Sequence, residues 1–268
     1  MTSLPNRLHI AQYALKSIEL QTLQPDRVVI NIDKNQFNKE SQVRDQFLIS
    51  LDWEKIDINL TDDIGPHTKL LPVLRTARDN NPIVTIDDDI IYSPWFLERI
   101  IRCGDVNRDC VVCGRAREIR RNIFGGYQAY LRWPNLSTYK KDINLLPLGV
   151  GGVLYRRSFF SDETLFNGEL VSSAPHADDL TFKVLGYLNN VNVVFDPNIY
   201  EGSMEIHHSF SLMYNNWRGR NFNDFLNKGV IGKKILNRLQ YAGFCGSRND
   251  AQWRQLQQVY LSLKGEAM

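Results

Sequence analysis

The chain has 268 residues, of which 43% are hydrophobic and 23% are charged, and its formal net charge is +2. This length is enough for one large α/β domain, or for a domain of about 200 residues with an appendage. The small net charge argues against a dedicated nucleic-acid-binding protein. No apolar run approaches the roughly 18 residues that span a bilayer, and the N-terminus lacks the apolar core of a signal peptide, so we expect a cytoplasmic protein.

The first half of the chain alternates helical and strand patterns. The repeat of about 25 to 30 residues is typical of strand–helix–strand crossovers, and it predicts an α/β fold with a mostly parallel sheet. Because such a sheet normally begins with a strand, Thr2 to Leu4 are interpreted as the end of one. The predicted elements are a helix over 8–18, a strand over 27–33, a helix over 39–51, a strand over 56–60 and a helix from Leu70.

A strand that ends in three acids is the central feature of the sequence. Residues 83–86 are predicted to form a short strand buried on both faces, and Asp87, Asp88 and Asp89 follow at its carboxyl end. Open α/β sheets bind ligands at this end of their strands. Three like charges there cost stability unless a hard divalent cation, with substrate phosphates, compensates them. The alternative is a solvated acidic turn before a helix that begins near Ser93.

The neighbouring predicted strands also end in acids. Asp33 follows the strand over 27–33, and Asp62 and Asp63 follow the strand over 56–60. Right-handed crossovers bring the carboxyl ends of parallel strands to one edge of a sheet. Convergence of three acidic strand ends therefore favours a ligand site over a solvated turn.

A long stretch without clear periodicity follows, over 115–146, and it is typical of a functional loop or lid. Its aromatic residues, such as Trp133, either stack on sugar rings or belong to the core. Three glycines come after it, Gly149, Gly151 and Gly152, and they let a backbone approach a ligand or another strand closely.

A second acid pair, Asp178 and Asp179, follows His176 and opens an amphipathic helix. Acids in the first turn of a helix are favoured by the helix dipole, so capping is the plain explanation. The functional alternative is that they join the acids at the edge of the sheet.

The composition changes near residue 201, where basic and aromatic residues become frequent. We predict a C-terminal helical extension over 206–268. Its basic aromatic surface either contacts anionic lipid head groups or belongs to solvated helices packed on the core. His207 and His208 are either structural or a further ligand to a cation at the acidic edge.

Four stretches in this order and spacing resemble the bacterial family 2 glycosyltransferases of the GT-A fold, which is Rossmann-like. They are DIGPHTK at 63–69, TIDDD at 85–89, GVGG at 149–152 and ADDL at 177–180. The link QTLQPD at 21–26 is similar to the opening of that group, and the second acid motif has Asp-Asp where the group usually has Glu-Asp. The resemblance extends from about residue 2 to residue 200 and implies a catalytic domain over 1–205.

The resemblance also implies roles for individual residues. Asp87 and Asp89 match a motif that holds Mn²⁺ or Mg²⁺ against the diphosphate of a nucleotide sugar, with His207 and His208 as additional candidate ligands. Asp179 matches the general base that deprotonates an acceptor hydroxyl, and Asp178 is its alternate. The implied residues near the donor nucleotide are Thr2, Leu4, Arg7, Asp33, Asp63, Lys69, Asp87 and Asp88. The implied residues of the acceptor and sugar pocket are Trp133, Gly151, Gly152 and His176.

The implied activity is transfer of a sugar, with inversion, from a nucleotide sugar such as a UDP-sugar to a hydroxyl of a glycan or lipid-linked acceptor in surface polysaccharide synthesis. The expected location is the cytoplasm, with peripheral contact to the inner face of the membrane. Two alternatives are a magnesium-dependent phosphohydrolase of the haloacid dehalogenase type, which also has Asp-x-Asp at a strand end, and a glycan-binding module without activity. The phosphohydrolase is disfavoured because three strand–helix units precede the acids here, whereas that family has its motif near the start.

Overall fold

The structure is a computed structural model that describes residues 1–37, 39–47, 51, 53–206, 238–243 and 247–268. Its helices are α1 (Leu8–Glu19), α2 (Glu40–Phe47), α3 (Leu71–Thr76), α4 (Phe96–Val106), α5 (Asp162–Leu165), α6 (Gly168–Ser173), α7 (Asp178–Leu188), α8 (Pro197–Tyr200) and α9 (Arg248–Lys264). Its strands are β1 (Val28–Asp33), β2 (Ile56–Thr61), β3 (Ile83–Thr85), β4 (Ile90–Ile91), β5 (Cys110–Cys113), β6 (Ala116–Glu118), β7 (Lys140–Asp142), β8 (Leu145–Pro147), β9 (Val153–Tyr155), β10 (Asn192–Phe195) and β11 (Met204–Glu205).

The central sheet has five strands in the order β3, β9, β5, β10 and β7. Only β5 and β10 pair in parallel, and the other three pairs are antiparallel. The sheet is therefore mixed rather than mostly parallel. The reason lies between β5 and β9, where residues 114–152 form short strands and 3-10 turns in place of a crossover helix, and a parallel neighbour requires such a crossover.

Alternate residues of the central strands face two different hydrophobic cores. Val111 and Val193 lie in the core that contains α7 and α9, whereas Val112 and Val194 lie in the core that contains α1 and α4. This follows from the two-residue period of a strand. The predicted α/β architecture, with helices on both faces of a sheet, is confirmed at this level.

Several predicted elements near the N-terminus are also confirmed. The apolar face of α1 is buried, and β1 and β2 form a parallel pair. Thr2 makes an isolated parallel bridge with Asn31 on β1, in line with its interpretation as the end of a strand. The prediction of a strand over 83–86 buried on both faces is wrong, because β3 is an edge strand of the central sheet and Ile83 is only partly buried.

The C-terminal helix α9 packs against helices α6 and α7. Trp253 and Leu256 are buried in the same core as α7, and Trp253 makes an edge contact with Trp133 at a ring-centroid distance of 5.2 Å. The predicted boundary near residue 205 stays a prediction, since residues 207–237 lie outside the described part of the chain. Among the helices in the described ranges, none combines the length and the apolar character needed to cross a bilayer.

Candidate active site

An ionic cluster forms around the ammonium group of Lys69. Its Nζ atom lies 2.6 Å from Oδ1 of Asp87 and 3.3 Å from Oδ2 of Asp178. Asp179, the next residue, accepts a 3.0 Å hydrogen bond from the backbone N–H of Gly149. We call Lys69, Asp87, Asp178 and Asp179 the Lys69 cluster. The structure thus brings together the acid after β3, the acid pair of α7 and the basic residue that precedes both.

Buried polar residues hold the turn that carries Lys69. The 3-10 turn His67–Lys69 lies beside β1, where Nδ2 of Asn31 donates a 2.8 Å hydrogen bond to the carbonyl of Thr68. His67 is fully buried, and its Nε2 atom lies 2.9 Å from the hydroxyl of Thr181 on α7. The turn is therefore connected both to β1 and to the helix that begins with Asp178.

The protonation state of His67 follows from its contacts. Its Nδ1 atom lies 3.1 Å from the carbonyl of Ile64, which can only accept, so Nδ1 carries the proton. Burial lowers the pKa of His67, which favours the neutral ring. In that form Nε2 accepts the hydroxyl proton of Thr181, and the ring connects two elements of the site without adding charge.

Gly149 leaves the space in which the cluster forms. A Cβ atom at this position would lie 2.8 Å from Nζ of Lys69, 3.3 Å from Oδ1 of Asp179 and 3.6 Å from Oδ1 of Asp87. Any side chain would therefore compete with the charged atoms for the same volume. Position 149 requires glycine because charged side-chain atoms lie close to its backbone.

The charges of the cluster shift the affinity of its members for protons. Burial alone would lower the pKa of Lys69, but the carboxylates of Asp178, Asp87 and Asp179 raise it well above its usual value. Burial raises the pKa of Asp179 well above the usual range, and repulsion by Asp178 adds to the increase. The ammonium of Lys69 therefore stays charged, and the carboxyl group of Asp179 takes up a proton more readily than that of an ordinary aspartate.

The three acids after β3 point in different directions. The side chains of Asp87 and Asp89 keep 22% and 24% of their surface exposed, whereas that of Asp88 keeps 7%. Asp88 accepts hydrogen bonds from Ser3 at 2.6 Å and from Arg7 at 2.5 Å. Burial raises the pKa of Asp88 to about 6, although Arg7 and Ser3 oppose the shift. Asp88 therefore attaches the N-terminal segment to the turn of residues 87–89. Asp87 and Asp89 stay partly accessible to solvent.

Asp87 and Asp89, the predicted ligands of a divalent cation, are both partly exposed. Each carboxylate lies next to a cationic side chain, Lys69 for Asp87 and Arg7, at 2.8 Å, for Asp89. The described residues contain no group of three or more His, Cys, Asp or Glu side chains that could hold a metal ion by themselves. One or two carboxylates together with substrate phosphates are a usual ligand set for Mg²⁺. Asp87 and Asp89 match this set by residue type, and the metal stays a prediction.

Some residues predicted for the donor nucleotide lie elsewhere than in the Lys69 cluster. Asp33 accepts hydrogen bonds from Asn35 and Gln36, and the bond from the Asn35 backbone is the main cause of its lowered pKa. Asp63 accepts the backbone N–H of Gly65 at 2.8 Å. Asp63 is exposed and Asp33 is partly exposed, and each carboxylate stabilises its own turn. Leu4 is 41% exposed, next to the segment that holds Asp88.

The residues predicted for the acceptor pocket separate in the structure. Trp133 is 1% exposed, because the rings of Tyr130 and Trp253 pack against its ring. It therefore belongs to the core and does not line an accessible pocket. Gly151 and Gly152 serve close packing within the protein: a Cβ at the first would lie 2.4 Å from the backbone nitrogen of Arg115, and at the second 2.3 Å from the ring of Phe96. His176 is exposed beside the start of α7, and its backbone N–H binds the side chain of Gln252. His207 and His208 lie outside the described residues.

Two residues near the site, Asn31 and Tyr92, were missed by the sequence interpretation, whereas Tyr130 belongs to the aromatic residues of 115–146 that were predicted either to stack on sugar rings or to lie in the core. Asn31 interrupts the apolar run of β1 and is fully buried, and a polar residue in such a run is a signal that could have identified it. The hydroxyl of Tyr92 accepts the backbone N–H of Asp87 at 2.9 Å. Burial raises the pKa of Tyr130 to about 12, and the negative charge of Asp179 adds to this shift. No local pattern distinguishes Tyr92 from an ordinary core residue.

Known proteins show little sequence similarity to this chain. No protein-family model matches the sequence, and a search of curated proteins finds no match either. Among solved structures, the chain is similar to a crystal structure of S. aureus TarS, residues 1–349, with a TM-score of 0.48 and 14% sequence identity, over 98% of this chain and 81% of that one. The geometry of the Lys69 cluster is therefore the basis for a functional assignment.

Proposed function

We propose that this protein is a glycosyltransferase that moves a sugar from a nucleotide-sugar donor, such as a UDP-sugar, to a hydroxyl of a glycan or lipid-linked acceptor. The observation that carries the proposal is the Lys69 cluster, in which an accessible acid after a strand lies next to an acid pair at the start of a helix. The cluster supplies one carboxylate for a donor diphosphate and its metal, and another for the acceptor.

The roles of Asp178 and Asp179 differ because their contacts differ. Asp178 lies within ion-pairing distance of Lys69, whereas Asp179 accepts the Gly149 amide and has a raised pKa. A general base works best when its pKa approaches the working pH. Asp179 is therefore the proposed base, and Asp178 holds Lys69 in place.

The proposed reaction is a single displacement. The acceptor oxygen forms a bond to the anomeric carbon, the bond from that carbon to the diphosphate oxygen breaks, and Asp179 takes the hydroxyl proton. Attack from the face opposite the leaving diphosphate inverts the configuration of the sugar. When bound, Mn²⁺ or Mg²⁺ at Asp87 and Asp89 supplies positive charge for the leaving nucleoside diphosphate.

Calorimetry with uridine diphosphate and guanosine diphosphate, each with and without Mn²⁺, tests the proposal. We expect one of them to bind, and to bind tightly only with the metal. Asp89→Asn should weaken this metal-dependent binding, whereas Asp62→Asn, at an exposed carboxylate outside the Lys69 cluster, should not. Failure of both nucleotides to bind under either condition would contradict the proposal, and so would hydrolysis of phosphate monoesters by a protein that binds neither.

A further inference from the structure

A hairpin tip presents two large apolar side chains to solvent. Ile123 and Phe124 are each 78% exposed. They lie in a tip of residues 122–126, which follows the bridge between Arg121 and Tyr127. Exposure of two adjacent large apolar side chains costs free energy, so their position calls for a partner.

The tip has a defined backbone conformation. The N–H of Asn122 donates to the carbonyl of Gly126 at 2.7 Å, and the side chain of Asn122 accepts the N–H of Phe124 at 2.9 Å. Gly125 has a φ of 81°, a conformation that favours glycine. Arg121 donates a side-chain hydrogen bond to the carbonyl of Gly125 at 3.1 Å. The two apolar side chains are therefore held outward by the turn itself.

Two other exposed aromatic side chains, Trp95 and Phe166, differ from Phe124 in their surroundings. The ring of Trp95 lies under the guanidinium of Arg99, and the ring of Phe166 lies under that of Arg75. Such stacking covers one ring face with a side chain of the same protein. Phe124 instead neighbours a second exposed apolar residue, Ile123, and the two together form an apolar surface.

This apolar surface borders a cleft with cationic residues. The cleft has a volume of about 500 Å³ and is lined by Ile123, Phe124, Arg132, Arg238, Tyr241 and Ala242. The guanidinium of Arg132 lies over the ring of Tyr241, 5.8 Å from its centroid. The N–H of Ala129 donates to the carbonyl of Gln240 at 2.8 Å and connects the two sides of the cleft. The lining residues that the structure describes are apolar, aromatic or positively charged.

We propose that the tip of residues 122–126 and the adjacent Arg238 form a docking surface for an anionic lipid bilayer. Apolar side chains at a tip enter the region between head groups and acyl chains, while guanidinium groups bind the phosphates above it. The positive charge of Arg238, which is exposed beside the tip, complements the anionic head groups. The surface therefore combines a tip outside the predicted extension over 206–268 with Arg238, which belongs to that extension.

Co-sedimentation with vesicles tests this surface. The full chain is mixed with vesicles of phosphatidylcholine alone, or of equal parts phosphatidylcholine and phosphatidylglycerol, at low and high salt. We expect binding to the anionic vesicles that decreases with salt. The double variant Ile123→Ser with Phe124→Ser should lower the partition coefficient at least about tenfold. Arg238→Gln should lower it about fivefold.

Matched controls lie at the end of α4. Val106 is 79% exposed, and Val106→Ser and Arg108→Gln should bind the anionic vesicles as the unaltered protein does. The proposal is overturned if the unaltered protein does not bind anionic vesicles at low salt, or if the double variant binds as well as Val106→Ser. Light scattering adds a third contradicting outcome: a dimer that the double variant converts to a monomer, without vesicle binding, would make the tip an interface between two copies.

Discussion

The backbone N–H of Gly149 donates a 3.0 Å hydrogen bond to Oδ1 of Asp179, and the Cα of the same glycine borders the ammonium of Lys69. One residue without a side chain thus positions the proposed base and leaves room for the cation beside it. Glycine at this position is a requirement of the site, because the charged atoms occupy the space of a Cβ.

Gly149→Ala is expected to reduce transfer about 10- to 100-fold, since the added Cβ lies 2.8 Å from Lys69 Nζ and displaces the ammonium from Asp87. The matched control is Gly168→Ala, where a Cβ would have no atom within 4 Å. The control should keep full activity and gain about 0.5 kcal/mol of stability. Steady-state kinetics and thermal unfolding measure both effects, and equal activity of the two variants would contradict the role of Gly149.

Asp179→Asn and Asp178→Asn are expected to fail in different ways. Loss of the base should reduce turnover by about 10²- to 10⁴-fold and leave the affinity for the donor nearly unchanged. Asp178→Asn removes a partner 3.3 Å from Lys69, so we expect a smaller loss of turnover together with weaker donor binding. Turnover rates and nucleotide affinities of both variants are the measurements. Unchanged turnover in Asp179→Asn would remove this residue from the mechanism.

Asp88→Ala is expected to destabilise the fold by about 2 to 3 kcal/mol, because Arg7 loses a buried partner. The loss is limited because Arg7 retains Asp89 at 2.8 Å. Asp62→Ala removes an exposed ion pair with Lys34 and should cost less than about 1 kcal/mol. Urea unfolding at neutral pH compares the two, and equal midpoints would show that the Asp88 pair does not attach the N-terminal segment.

Lys183 is expected to make stability depend on pH in the alkaline range. Its side chain is 2% exposed, and burial lowers its pKa to about 7, although Asp142 opposes the shift. Between pH 7 and the ordinary lysine pKa, the unfolded chain therefore binds a proton that the folded protein does not, so stability rises with pH. Relative to Lys183→Met, the unaltered protein should gain about 2 kcal/mol between pH 7 and pH 9. Urea unfolding across this range measures the difference, and parallel curves for the two proteins would contradict it.

The amino-acid sequence by itself determined most of the local structure and the chemical character of the site. The 3.6-residue period placed α1 with its apolar face inward, and the apolar run of β1 marked a strand. The charged residues of the Lys69 cluster stand at the ends of helices, turns or strands. Their types and positions along the chain could therefore be recognised from the sequence. Periodicity and turn chemistry act over a few residues, and for this reason a sequence records them directly.

Only the tertiary structure decided which of these residues meet. Arg7 and Asp88 are separated by 81 positions in the sequence, yet their contact turns Asp88 inward and leaves Asp87 on the accessible side. The antiparallel direction of β9 and the burial of Trp133 likewise depend on packing between distant segments. The role of Gly149 is of the same kind, because it depends on side chains that arrive from three other parts of the chain. Contacts of this range form when whole elements pack together, and a local pattern of residue types carries no information about them.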